Sequence, residues 1–414
     1  MGFGGDVINK RVPILGCVAL TVTLTLLVSC AGHEVSPHPP APPMSVPGPT
    51  PHVNYDAHPV PRGWEDRQGQ WELVWRDEFA GGTGDNFHNG LNLDNWNIDT
   101  GTAAQFGTEG SGMPFGLAGW GNYELQYYTR SENNVRVRDG MLILEARNDG
   151  HAGTWWSHYP PPAGIVQRAM PFTSAKVTTG GTRASNTYCP DPDCVGHPDC
   201  AECILPERFS ISEGFIEARI RTPRGVGFWP AFWTMGTNSN RYGNGGPDAH
   251  VGWPRSGEID IMEMRGGQEY LHLSTIHHGM SFPYQRWFPG DTLDVRTVLP
   301  RNRDMSSDFH VYGVRWDADT MHFYFNGYNW FTIDLNRLHG GPNANAAAFT
   351  AATGQFINLN LAVGGHFIQG ASPPASLFDA NAPFEDRSLM VDWVRVYRKA
   401  GGAGTVRIRG EVVP

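Results

Sequence analysis

The sequence predicts an all-β domain, a sandwich or a barrel, and three observations carry that prediction. Short runs alternate polar and apolar residues with a period of two, turn dipeptides separate them, and no stretch sustains a helical period. Residues 134–138 alternate, Asp139-Gly140 turns the chain, and the more apolar run 141–146 follows. Asp-Gly suits a two-residue hairpin whose twist matches that of the flanking strands. Residues 215–221 and 390–397 alternate as well, and 321–325 alternates ahead of an Asn326-Gly327 turn. Many short strands with turns between them form a sandwich or barrel. Residues 64–399 show no internal repeat and are expected to form one domain, with 400–414 as a weakly structured tail.

The N-terminus reads as an export signal over residues 1–30. Lys10 and Arg11 precede an apolar stretch, residues 12–28, that is short for a membrane span. It ends in Leu27-Val28-Ser29-Cys30, which looks like a bacterial lipobox with Cys30 as the lipidated residue. An ordinary signal peptide followed by secretion is the alternative. Residues 31–63 are rich in proline, which excludes helix interior and sheet centre, and read as a semi-extended tether. Membrane contact is then expected only through the lipid anchor, because no later apolar run is long enough to span a bilayer. The net charge of -10 gives nucleic acid no reason to bind, and the chain is expected to be a monomer. The 14 Trp, 21 Phe and 13 Tyr supply rings for a core and for holding the apolar faces of sugars.

Residues 258–263, Glu-Ile-Asp-Ile-Met-Glu, are the most informative stretch. In a regular strand Glu258 and Asp260 share a face, whereas Glu263, five positions after Glu258, points the other way. One extra residue, a β-bulge around Ile261-Met262 with Met262 as the insertion, brings Glu263 back. Three clustered acids oppose stability, since like charges repel and burial raises the pKa of the least solvated. Glycosidic cleavage needs this pairing of an ionised carboxylate with a protonated carboxyl. A solvated acidic edge that blocks aggregation, or a set of metal ligands, would show the same residues.

The stretch 256–263 resembles the active-site signature of glycoside hydrolase family 16, in the bulged form of its laminarinase-like members. Further segments stand in the family's order along the chain: 121–129 and Trp229-Pro230-Ala231-Phe232-Trp233 before this stretch, then 309–316, 359–365 and 391–397 after it. The resemblance spans about residues 71–398. It implies a β-jelly-roll of two curved antiparallel sheets with an open cleft on the concave face. It implies Glu258 as nucleophile, Glu263 as general acid and base, and Asp260 between them as the residue that tunes their protonation. Trp229, Trp233 and Trp253 match cleft rings, Asn122 a sugar-binding amide, and His277 a histidine near the acid/base. Paired core rings, a turn residue and a structural histidine are the plainer readings of the same positions. His278 stands where relatives carry an aromatic residue. Asp392 matches a calcium ligand remote from the cleft, with Glu78 and Gly140 as possible co-ligands; an exposed strand aspartate is the alternative. Catalysis itself calls for no cofactor.

The expected substrate is a polysaccharide: 1,3-β-glucan or mixed-linkage β-glucan, alternatively an algal galactan such as agarose or carrageenan. A non-catalytic β-glucan-binding protein is the third reading, against which both glutamates speak. An insertion at about 183–208 departs from the family pattern. It carries Cys189, Cys194, Cys200 and Cys203 with His197 between them. Such spacing is that of zinc sites, but an exported chain favours two disulfides, with three pairings open.

Overall fold

Two large sheets carry the domain. The computed structural model describes residues 70–101, 103–104, 117–118, 122–157, 164–181, 206–237, 254–279, 286–338, 348–349 and 354–413. The export segment with Cys30, the tether, Trp253 and the four cysteines of the insertion lie outside them. Among the described residues no helix is long and apolar enough to cross a membrane.

The first sheet has eight strands, ordered Tyr328–Asp334, Thr320–Phe325, His310–Trp316, Gly214–Arg221, Ser388–Lys399, Met141–Glu145 and Val135–Arg138, with Trp71–Asp77 also paired to Ser388–Lys399. Both expected hairpins are present. Asp139 and Gly140 have φ of +53° and +74°, and Asn326 and Gly327 of +47° and +79°, so both central residues of each turn are left-handed, as the favoured hairpin turn requires. The second sheet runs Leu271–Gly279, Glu258–Glu263, Phe228–Gly236, Gln355–Val363, Phe209–Ile211 and Val406–Ile408 through its middle. Gly290–Asp294 flanks the first of these and Lys176–Thr178 also pairs with Gln355–Val363.

Alternation builds the core between the sheets. Ile216, Ala218 and Ile220 face inward from the first sheet, and Phe228, Phe232, Ile357, Leu359 and Leu361 from the second, all fully buried in one apolar cluster. Each of these Ile, Leu and Phe side chains removed from water contributes roughly 1.5–3 kcal/mol. The pattern is a jelly-roll sandwich, antiparallel in its large sheets. A short parallel pair, Phe172–Ser174 against Gln126–Tyr128, stands beside them.

The C-terminal stretch departs from the sequence reading. Instead of a weakly structured tail, Val406–Ile408 and Glu411–Val413 form a hairpin that extends the second sheet past Phe209–Ile211. Val406 is fully buried in the core cluster. Pairing with an otherwise open sheet edge, together with that anchor, holds the segment in place.

Candidate active site

The strand Glu258–Glu263 lies between Phe228–Gly236 and Leu271–Gly279. Gly257 leads into it at φ +81°, and a Cβ there would lie 2.9 Å from both Cβ and O of Ala348. Glycine is therefore required at that step. On one side the register runs Glu263 to Ala231, Met262 to Phe232, then Asp260 to Trp233, which leaves Ile261 unmatched. On the other it jumps from Asp260–Thr275 to Glu263–Leu273, and the Ser274 hydroxyl donates to the Ile261 carbonyl at 2.8 Å. The bulge is where the spacing demands it, but the inserted residue is Ile261 rather than Met262. Ile259, Ile261 and Met262 are all fully buried in the core. The three carboxyl groups are left on the opposite face.

There the side chains converge. The Trp229 indole N–H donates to Glu263 Oε1 at 2.9 Å. His277 stands directly opposite Glu258, its Nε2 2.9 Å from Asp260 Oδ2 and 3.8 Å from Glu258 Oε1. Burial first, and then the charge of Glu263, hold the Asp260 carboxyl well above the usual range, while its hydrogen bond with Glu258 works against this. Burial likewise pushes Glu263 up, opposed by the Trp229 hydrogen bond and by the positive charges of His277 and Arg265. Asp260 and Glu263 therefore hold their protons to higher pH than an ordinary carboxyl group does, beside the more exposed Glu258.

The expected rings share one face. Trp229 and Trp233 are half-buried, while Phe228 and Phe232 beside them are fully buried. Trp229 stacks on Phe367 at 4.6 Å, and the Arg265 guanidinium covers that ring at 4.3 Å. Trp233 donates to Asn360 Oδ1 at 2.7 Å, with the Lys176 ammonium 5.1 Å from its ring centre. Lys176 is itself paired with Asp99 at 2.9 Å, both buried. His278 points away from this face and is buried, so the position that is aromatic in relatives bears on packing.

Asn122 joins the group through a residue the sequence reading passed over. Its amide donates to Glu124 Oε1 at 3.2 Å, and the Gln126 amide donates to Oε2 at 2.6 Å. Gln126 is fixed in that orientation because its Oε1 accepts from Val363 N. Burial raises Glu124 to about 7 from the ordinary 4.5, against the two amide bonds and the charge of Lys176. The signal was readable as polar residues at 122, 124 and 126, alternate positions on one face.

A folded-state pKa above the ordinary one means that Glu124 favours folding least at high pH. The folded chain holds the proton between about 4.5 and about 7, so stability falls as pH rises through that window. We expect Glu124→Gln to raise stability at pH 8 by up to about 3 kcal/mol and to leave it little changed at pH 4. Urea unfolding of both proteins at the two pH values checks this; equal gains at both would remove titration as the cause.

The two carboxylates expected to bind calcium, Asp392 and Glu78, each face an arginine. Asp392 is the unmatched residue of a bulge opposite Arg219 and Ile220, and its carboxylate is paired with the Arg219 guanidinium. Glu78 is gripped by Arg395 through two bonds, Nε to Oε1 at 2.9 Å and Nη2 to Oε2 at 3.0 Å. Gly140 sits in its hairpin turn. Each carboxylate already faces a fixed positive charge, so this donor set does not fit a cation that needs several anionic oxygens.

The chain's similarities agree with the site. A family model described as glycosyl hydrolases family 16 matches residues 202–352. A glucan endo-1,3-beta-glucosidase of Cryptopygus antarcticus is 34% identical over 307 residues, covering 73% of this chain and 84% of that protein. Glucan endo-1,3-beta-glucosidase A1 of Niallia circulans is 30% identical over 329 residues, 79% of this chain, which spans 38% of that longer relative. Among solved structures, the endo-beta-1,3-glucanase from Pyrococcus furiosus superimposes with a TM-score of 0.52 at 29% identity, covering 80% of this chain and 96% of that one. A bulged strand with three carboxyl groups on one face, in a jelly-roll and at these levels of identity, makes this chain a member of glycosyl hydrolases family 16.

Proposed function

We propose that the chain is an endo-acting, retaining hydrolase of 1,3-β-glucan of the laminarin type, with Glu258 as nucleophile and Glu263 as general acid and base. The bulge at Ile261 carries this reading, because it sets Glu258, Asp260 and Glu263 on one outward face beside Trp229 and His277. The names of the two relatives support 1,3-β-glucan as the substrate.

Each carboxyl group has a distinct task. A hydrogen bond between two carboxyl groups needs a proton on one of them, and Asp260, the more buried, keeps it. Glu258 is then the charged partner and attacks the anomeric carbon. Glu263, whose proton burial retains, donates it to the glycosidic oxygen as the C1–O bond breaks and an ester to Glu258 forms. Glu263, now anionic, takes a proton from water while the water oxygen attacks C1. Glu258 is released and the configuration is retained. His277 Nε2 lies 2.9 Å from Asp260 Oδ2, and Asp260 and His277 act by positioning Glu258. Trp229 and Trp233 hold the glycone, the part of the sugar chain that becomes attached to Glu258, and Asn122 supplies an amide at its edge.

Trp229 also sets the upper pH limit. Its N–H stabilises the charged form of Glu263, so Trp229→Phe raises the pKa of Glu263 further and moves the alkaline limb of kcat/KM to higher pH. A pH–rate profile of the variant checks the sign; a shift toward lower pH would contradict the assignment. The substrate is tested by measuring reducing ends released from laminarin, mixed-linkage β-glucan, agarose and carrageenan. We expect the highest kcat/KM on laminarin. Preference for a galactan would replace the glucan reading, and binding of laminarin without turnover would replace the enzymatic one.

A further inference from the structure

Few large apolar side chains among the described residues stand well exposed, and one of them, Phe288, stands beside the carboxyl cluster. It is 46% exposed. Its ring meets His277 edge-on with centroids 4.8 Å apart, and His277 is the residue opposite Glu258 that contacts Asp260. Phe288 is set on a clamped backbone. The carbonyl of the next residue, Pro289, accepts from the Ile276 N–H at 3.0 Å. Gly290 approaches the same strand so closely that a Cβ would lie 2.7 Å from both the Ser274 carbonyl and the Thr275 hydroxyl. A half-exposed phenyl ring held this firmly loses little conformational entropy on binding and gains from covering its apolar face.

Strand order gives the ring its place along the substrate. Phe228–Gly236, with Trp229 and Trp233, adjoins Glu258–Glu263 on one side; Leu271–Gly279, with His277, adjoins it on the other, and Phe288 lies against His277. With the glycone on the indole side, the strand carrying His277 borders the leaving group. We propose that Phe288 is the stacking platform for the sugar on the leaving-group side of the scissile bond, an assignment that rests on the glucanase reading above. The same ring then receives an acceptor sugar in the second step and sets how often the glycosyl group passes to sugar rather than to water.

The test separates the two sides of the cleaved bond. Laminari-oligosaccharides place sugars on both sides, whereas β-laminaribiosyl fluoride carries only fluoride on the leaving side. Phe288→Ala is expected to lower kcat/KM on laminarihexaose about 3- to 10-fold, chiefly through KM, as loss of one aromatic contact would. Fluoride release from the activated donor should stay within about two-fold of the wild type. Phe288→Trp should restore laminarihexaose turnover. Equal losses on both substrates would show that the ring merely supports the fold or the glycone side, and unchanged laminarihexaose kinetics would remove it from binding; either result overturns the proposal. A wild type that cleaves neither substrate would overturn the glucanase reading itself, and the platform with it.

Discussion

Glu258→Ala is expected to lower kcat on laminarin by about 10,000-fold or more, because it removes the nucleophile that forms the covalent intermediate. The fold should survive. Glu258 is partly exposed at the start of its strand, and the substitution removes a charge from a crowded acidic patch. Added azide tests the role directly. A small anion can fill the space left by the carboxylate and attack C1 from the same side, so the variant should convert β-laminaribiosyl fluoride to the α-glycosyl azide. An unchanged rate, or no azide product from a folded variant, would take the nucleophile's role away from Glu258.

Glu263→Ala should show a different signature, governed by the leaving group. A sugar oxygen must be protonated as it departs, so laminarin hydrolysis is expected to fall by about 100- to 10,000-fold. Fluoride needs far less assistance, so the first step on the activated donor should be largely preserved. Water then lacks its base, the glycosyl-enzyme accumulates, and fluoride release should appear as a burst followed by a slow phase. Azide needs no base and should accelerate the slow phase, giving the β-glycosyl azide. The two variants therefore yield opposite anomers, and the same anomer from both would overturn the division of roles.

Much of this was legible in the sequence where local rules decide. Asp139-Gly140 and Asn326-Gly327 are dipeptides whose residues tolerate φ above zero, and both hairpins formed there. Arg409-Gly410 makes the same kind of turn, at φ of +52° and +79°. Arginine is an uncommon choice in that conformation, so the dipeptide carries no turn signal for the C-terminal hairpin. The shared face of the three acids followed from counting in twos. The position of the inserted residue did not, because Ile261 and Met262 are both apolar and both end up fully buried. Long-range pairing was the least legible. Nothing near Asp392 in the chain announces Arg219, 173 positions away, as its partner, and nothing near Glu78 announces Arg395, 317 positions away. Glu124 had a readable pattern, yet its raised pKa depends on burial that only the assembled sheet provides.

The bulge has a consequence for how this active site tolerates change. A strand counts positions by parity: even separations return a side chain to the same face and odd ones do not. Glu258 and Glu263 are separated by an odd number, and the bulge supplies the one step that corrects it. Deleting Ile261 would cancel both at once, leaving a regular strand in which the two glutamates stand four apart with Asp260 between them. The acids would keep their common face while the core lost one buried isoleucine. Insertions and deletions of one residue here are thus not equivalent to those elsewhere in the sheet. A loss of one can be absorbed by straightening the strand, whereas a gain of one would need a second bulge to keep Glu263 in place.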